Sequence, residues 1–240
     1  MNSSLSYKGR IGIITGAGPE AGIDLWQKIL QKNKNNFEID SYGDVDAPPV
    51  VVHSVPSMGL VMDIDKHEKF IERDLLNTLD MLDEQVDYFC IACNILHYYS
   101  DIIVSNNYKC EFVSIVDPIK KYISDNQIKK IALLSIGTVM ELGSYSPYKI
   151  LSQHVDIEIT NSSEMNDLVK GIKSKGSNDK NLVSEYHDII NKLDSETVLL
   201  ACTELPLLPT TGINKNIIDA TDLLANELAS RSYSARFSQY

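Results

Sequence analysis

Basic residues are scarce in this chain: 22 Lys and Arg stand against 33 Asp and Glu, a formal net charge of −11. Non-specific nucleic-acid binding needs a basic face that neutralises phosphates, so that class is excluded. Anionic ligands gain no long-range attraction either, and any anion must be captured by local groups. Long apolar runs are also missing. No window approaches eighteen consecutive apolar residues, so no membrane-spanning helix and no membrane partner are expected. The stretch from Met1 to Tyr7 is polar, without the apolar core of a secretion signal, and a cytoplasmic protein is expected. Cysteine is confined to Cys90, Cys93, Cys110 and Cys202, too few for a disulfide framework in 240 residues. In a reducing compartment these remain thiols, available for packing, metal binding or catalysis.

What is present is ordinary for a globular chain: 43% apolar and 23% charged residues, with enough length to bury a sizeable core as one large α/β domain or two smaller ones. The segment Arg10-Ile11-Gly12-Ile13-Ile14-Thr15 reads as a buried strand. It runs into Gly16-Ala17-Gly18-Pro19-Glu20-Ala21, a glycine turn that opens a helix and offers free backbone N–H groups to an anion. A strand at 49–55, an amphipathic helix at 65–86, a strand at 87–92, a short helix near 96–104 and a strand at 112–116 follow. Such alternation favours a parallel sheet with right-handed crossovers.

From Lys129 the pattern starts again. Ile131 to Thr138 is a strand with a glycine turn, 155–159 a strand, and 164–173 and 182–193 are helical. Two landmarks match closely: Tyr88-Phe89-Cys90-Ile91-Ala92-Cys93-Asn94 and Thr197-Val198-Leu199-Leu200-Ala201-Cys202-Thr203 are both apolar strands that stop at Ala-Cys. Ile115-Val116-Asp117-Pro118 and Ile217-Ile218-Asp219-Ala220 read as a second matched pair, strands ending in Asp. A repeat near half the chain length predicts an α/β fold of two similar Rossmann-like domains with parallel sheets, related by an approximate two-fold axis. The expected division is 1–117, joined by a C-terminal helix at 221–231, and 118–220. The last residues, 231–240, are polar and read as a loose tail.

In open α/β sheets ligands bind beyond the carboxyl ends of the strands, which is where Cys93 and Cys202 stand. With the strand ends facing each other, the two thiols flank one cleft. Inverting a carbon that bears hydrogen requires a base on one face and an acid on the other, and a thiolate opposite a thiol supplies both. Asn94, Thr203 and nearby N–H groups are expected to lower the cysteine pKa from about 8.5 and to hold a substrate carboxylate. Any single strand cysteine is more often packing than chemistry, and Cys90 and Cys110 read that way. Cys90-Ile91-Ala92-Cys93 satisfies a dithiol spacing, but Cys90 lies inside the strand instead of opening a helix. A zinc site lacks further ligands at a recognisable spacing. Gly16-x-Gly18-x-x-Ala21 imitates a dinucleotide fingerprint, yet the second strand ends His53-Ser54-Val55 without the required acidic residue.

These motifs resemble the cofactor-independent aspartate/glutamate racemase family, and its aspartate racemase branch in particular. The resemblance rests on Gly16 to Ala21, on Cys93-Asn94 with His97, on Gly137-Thr138 followed by Gly143-Ser144-Tyr145, on Cys202-Thr203-Glu204-Leu205, and on the two Asp-ended segments. It implies an isomerase: an amino-acid racemase with two Rossmann-like domains, an active site between them, no pyridoxal phosphate, no metal, a small-molecule substrate and a homodimer. By the same resemblance Cys93 and Cys202 are the acid/base pair. Gly16, Ala17, Gly18, Asn94, Thr138, Thr203, Glu204 and Lys173 would contact substrate, with His97 supporting. Glu204 stands where glutamate racemases tend to have His.

Two departures leave the substrate open. Ile95 replaces the threonine usual after Cys-Asn, and the loop Ser54-Val55-Pro56-Ser57-Met58-Gly59-Leu60 lacks the arginine that grips a side-chain carboxylate. A less acidic amino acid, a sister activity (hydantoin racemisation, arylmalonate decarboxylation, maleate isomerisation) or a binding protein without chemistry are the alternatives. Lys173 and Lys175 also read as a solvated helix end, and Asp117 and Asp219 as helix caps.

Overall fold

The computed structural model describes residues 8–36 and 43–237. Strand β1 (Ile11–Thr15) is buried along its whole length, as a central parallel strand covered on both faces must be. It pairs in parallel with β2 (Val50–Ser54) and β3 (Tyr88–Ile91), and β4 (Glu111–Phe112) lies beside β3. Helix α1 (Pro19–Asn36) buries Ala21, Leu25 and Ile29, one stripe at helical spacing. Helix α2 (Ile64–Leu82) does the same with Ile71, Leu75, Leu79 and Leu82, and α3 (Ser100–Ser105) is short.

The second sheet repeats the first. Strand β5 (Lys130–Leu134) is central, flanked by β6 (Asp156–Ile159) and β7 (Thr197–Leu200), with β8 (Asn216–Asp219) beside β7. The strand orders, β2-β1-β3-β4 and β6-β5-β7-β8, are one pattern. Four helices belong with this sheet: α4 (Val116–Asp125), α5 (Gly137–Met140), α6 (Ser162–Lys175) and α7 (Lys180–Asn191). Asn161 and Asp179 cap α6 and α7, their side chains accepting the N–H groups of Glu164 and of Asn181 and Leu182. Helix α8 (Ala220–Phe237) follows β8.

The chain forms two compact units. The first holds the residues up to Ala92, Tyr99–Ser114 and those from Asp222 onward; the second holds Cys93–Tyr98 and Ile115–Thr221. Cys93 and Cys202 therefore fall in the same unit.

Two expectations are corrected. Asp117 does not end a strand: it lies in the first turn of α4. Ladder bonds continue only as far as Val113, whose N–H donates to Phe89 O at 2.8 Å. Ile115 already has helical backbone angles, and its N–H goes to His97 Nδ1 at 3.4 Å instead of to a strand. Only Asp219 ends a strand, β8. The segment 231–237 is likewise helix and not a loose tail. Ser232 Oγ donates to Gly9 O at 2.6 Å, and Arg236 donates to Asp46 O at 2.7 Å and Asn33 Oδ1 at 2.7 Å, so the polar residues have partners distant in sequence. Residues 238–240 and Met1 to Tyr7 lie outside the described residues.

Candidate active site

Each cysteine is released from its sheet in the same way. Ala92 N–H bonds to Ile14 O of the central strand at 2.8 Å, and Ala201 N–H bonds to Leu134 O at 2.8 Å. The next residue is the cysteine, free of the ladder, and a 3₁₀ turn follows at Ile95–Tyr99 or Leu205–Leu207. Turn bonds from His97 N–H to Asn94 O and from Leu205 N–H to Cys202 O, both 3.1 Å, fold each loop back. Cys93, Asn94, Thr203, Glu204 and Cys202 are all buried.

The two thiols share one ion pair. Lys173 in the last turn of α6 places Nζ 2.8 Å from Glu204 Oε1, and the Glu204 side chain is only 5% exposed. The other carboxylate oxygen, Oε2, accepts the Cys202 thiol proton at 3.1 Å. Thr203 Oγ1 lies 3.5 Å from the same oxygen. Burial opposes the Lys173 charge, but the adjacent carboxylate outweighs it and raises the ammonium above its ordinary 10.5.

Both thiols are pushed up, against the expected depression. Cys93 rises to about 12, chiefly because burial disfavours the thiolate and secondly because Glu204 repels it; Lys173 and the N–H groups of Leu96 and Ile95 pull the other way. Cys202 is raised well above the ordinary value by burial, by the Glu204 charge and by the hydrogen bond it gives to that carboxylate. Loss of water around the thiols is what residue types alone do not convey. Cys90 donates weakly to Gly12 O at 3.7 Å within the first unit and is fully buried, while Cys110 is raised to about 12 by burial and Asp83; both behave as packing residues.

The other sequence-predicted residues are placed as follows. His97 is buried and its Nδ1 accepts the Ile115 N–H, so it anchors the start of α4. Thr138 is half-buried in α5, where the Gly137 N–H bonds to Asn166 Oδ1 at 2.9 Å. Gly16, Ala17 and Gly18 belong to the first unit. Gly16 has φ 120°, and a Cβ there would lie 2.3 Å from the Val55 carbonyl, so glycine is demanded by the close approach of backbone. Thr15 Oγ1 donates to Gly18 O at 3.1 Å and closes the turn. Among the described residues, no group of three or more His, Cys, Asp or Glu is placed to hold a metal ion.

Sequence reasoning missed Tyr148. Its side chain is fully buried and its hydroxyl donates to Asn94 Oδ1, beside Cys93. The phenol is raised well above its ordinary value, by burial first and then by the charges of Cys202, Cys93 and Asp219. It comes from the irregular segment before the 3₁₀ turn Lys149–Gln153, so no periodic pattern marks it. Tyr145, which the motif comparison did single out, stacks edge-on against Tyr98 at 4.9 Å.

No protein-family model matches the chain. Solved structures do. Picrophilus torridus aspartate racemase is 22% identical with a TM-score of 0.75, over 93% of this chain and 94% of the other. An aspartate racemase homologue from Pyrococcus horikoshii is 23% identical with a TM-score of 0.72, over 93% and 99%. Glutamate racemase from Campylobacter jejuni is 19% identical with a TM-score of 0.60, over 92% and 85%. Two four-stranded parallel sheets of one strand order, matched along nearly the whole chain, give this protein the fold of the aspartate and glutamate racemases.

Proposed function

We propose that the protein is a cofactor-independent amino-acid racemase in which Cys93 and Cys202 act as acid and base on opposite faces of the α-carbon. The observation that carries this reading is the placement of both thiols, buried and at matched strand ends, around one Lys173–Glu204 pair. The shared fold supports it.

In the proposed reaction Glu204 Oε2, 3.1 Å from Cys202 Sγ, takes the thiol proton when the substrate's ammonium enters and adds positive charge. The Cys202 thiolate then removes the α-proton, and the C–H electron pair moves into the enolate-like carboxylate. The Cys93 thiol delivers its proton to the opposite face. The thiolate left on Cys93 is supported by the Ile95 and Leu96 N–H groups and by Lys173. In the reverse direction the roles exchange. Asn94, Thr203 and Thr138 are proposed contacts for the carboxylate and ammonium. With Lys173 engaged by Glu204 and no basic residue in the loop at 54–60, an amino acid less acidic than aspartate suits the site best. Cytoplasmic work as a homodimer on a small molecule, without a cofactor, belongs to the same proposal.

The raised thiols favour one second reading, a binding protein without chemistry. The test is α-proton exchange in deuterated water, followed by NMR over a panel of L- and D-amino acids, with Cys93→Ser and Cys202→Ser beside wild type. Exchange with inversion that both variants lose supports the racemase. Racemisation that survives in both single variants removes the two-base mechanism, and binding without any exchange selects the second reading.

A further inference from the structure

Asn94 is buried to 97% (3% exposed), and its Nδ2 has no hydrogen-bond partner, whereas its Oδ1 accepts the Tyr148 hydroxyl. A buried amide N–H left unmade is costly, so native structures rarely retain one without a water, an ion or a ligand to meet it. The carboxamide has two orientations with different chemistry. If Oδ1 faces Tyr148, both Nδ2 protons are free for an acceptor. If Nδ2 faces the phenol oxygen, a carbonyl oxygen faces the ligand and repels a carboxylate. Tyr148 decides between them. Burial keeps its phenol neutral, with one proton to give, and the carboxamide oxygen is the acceptor for it. Tyr148 itself is held from behind, since its backbone N–H bonds to Ser146 Oγ at 3.3 Å and Ser146 Oγ donates to Val139 O at 2.6 Å.

We propose that Tyr148 is a positioning residue that fixes the Asn94 carboxamide with Nδ2 presented, next to Cys93, as the donor to a ligand carboxylate oxygen. The proposal rests on the reading above in taking an amino-acid carboxylate as the ligand. It deepens that reading by assigning the carboxylate's polarity sensor and the group that sets it. During α-proton removal negative charge accumulates on the same carboxylate, so a donor fixed beforehand would stabilise the enolate-like state as well as the bound acid.

The probes are acetate and L-aspartate, and the readout is the Asn94 side-chain ¹H–¹⁵N pair, assigned by its loss in Asn94→Ala. In wild type either probe should move both Nδ2 proton signals downfield. Tyr148→Phe keeps the ring and removes the hydroxyl. It should shift the signals of the free protein and weaken the probe response about fivefold, the worth of one ordinary hydrogen bond. Asn94→Asp retains an acceptor for Tyr148 and removes both donors. It should bind carboxylate more than tenfold more weakly and melt below wild type, because its buried carboxylate is unpaired, and provided it folds it carries the test if Tyr148→Phe does not. Probes that leave the wild-type Asn94 signals unmoved, or a Tyr148→Phe response equal to wild type, overturn the proposal. Where exchange activity is present, Tyr148→Phe should raise KM about fivefold and lower kcat, with the pH profile unchanged. Unchanged kinetics overturn the positioning role and leave the racemase standing. Carboxylate-dependent Asn94 shifts in a protein that exchanges no α-proton sustain the positioning role and remove the racemase.

Discussion

Cys93 and Cys202 leave their sheets by the same device and arrive in different surroundings. Cys93 is met by backbone N–H groups of Ile95 and Leu96, which favour a thiolate. Cys202 also has a backbone N–H, that of Glu204, but it alone of the two gives its thiol hydrogen bond to the Glu204 carboxylate, at 3.1 Å, which favours a thiol. The repeat thus supplies matched positions, and local chemistry makes them unequal. Under the proposed mechanism, Cys202 would give up its proton to Glu204 and Cys93 would carry charge once its proton had gone to substrate.

Serine substitutions should expose this inequality most strongly. Either Cys93→Ser or Cys202→Ser should lower racemisation by on the order of 10³-fold, because a hydroxyl is a far weaker base than a thiolate. One-faced deuterium exchange should persist better in Cys93→Ser, which keeps the cysteine that has an acceptor. Equal residual exchange on both enantiomers in the two variants would abolish the asymmetry.

The next effect is on stability. Lys173→Met strands the Glu204 carboxylate in the interior and should cost about 3 kcal/mol in urea unfolding, with most of it regained in the double variant Lys173→Met/Glu204→Gln. Additive single and double costs would show that the ion pair is not coupled. The pH dependence has a definite sign. The Lys173 pKa is raised in the folded state above 10.5, so its contribution is complete below that value and is lost as pH climbs through the folded-state value. Wild type should therefore lose melting temperature on alkaline titration more steeply than Lys173→Met.

The two glycine turns differ in the same spirit. Gly16 at φ 120° meets the Val55 backbone, and Gly16→Ala should cost about 2–3 kcal/mol. Gly137 lies in a helix, where an added Cβ would come 2.8 Å from Ser162 Cβ, and Gly137→Ala should cost about 1 kcal/mol. Thermal unfolding of the pair checks the order. The smallest effect is on alkylation. In wild type, iodoacetamide should reach Cys93 at lower pH than Cys202, as read by peptide mass spectrometry; Glu204→Gln should lower the pH needed for both and narrow the gap. A gap that widens would show that Glu204 is not what separates them.

Much of the scaffold was legible because it depends on short-range pattern. Strands such as Ile11–Thr15 and Thr197–Leu200 are continuous apolar runs, and the Ala-Cys ends mark where each leaves the ladder. What the sequence hid depends on partners far along the chain. The helical character of Ile115 follows from the imidazole of His97, the order at 231–237 from Gly9, Asn33 and Asp46, and Tyr148 enters the site from a segment without periodicity. The direction of the thiol shifts is hidden from the sequence for a related reason: burial is a property of the packed unit and not of the residues beside the cysteine.

The chain passes between its two units at 92/93, 98/99, 114/115 and 221/222. Synthesis and completion therefore run in opposite orders. The second unit's last residue, Thr221, is made before any of the helix from Asp222 onward, whose Ser232 and Arg236 secure Gly9, Asn33 and Asp46 of the first. The first unit thus draws on residues 222–237, whereas every residue of the unit that carries both thiols precedes them in the chain.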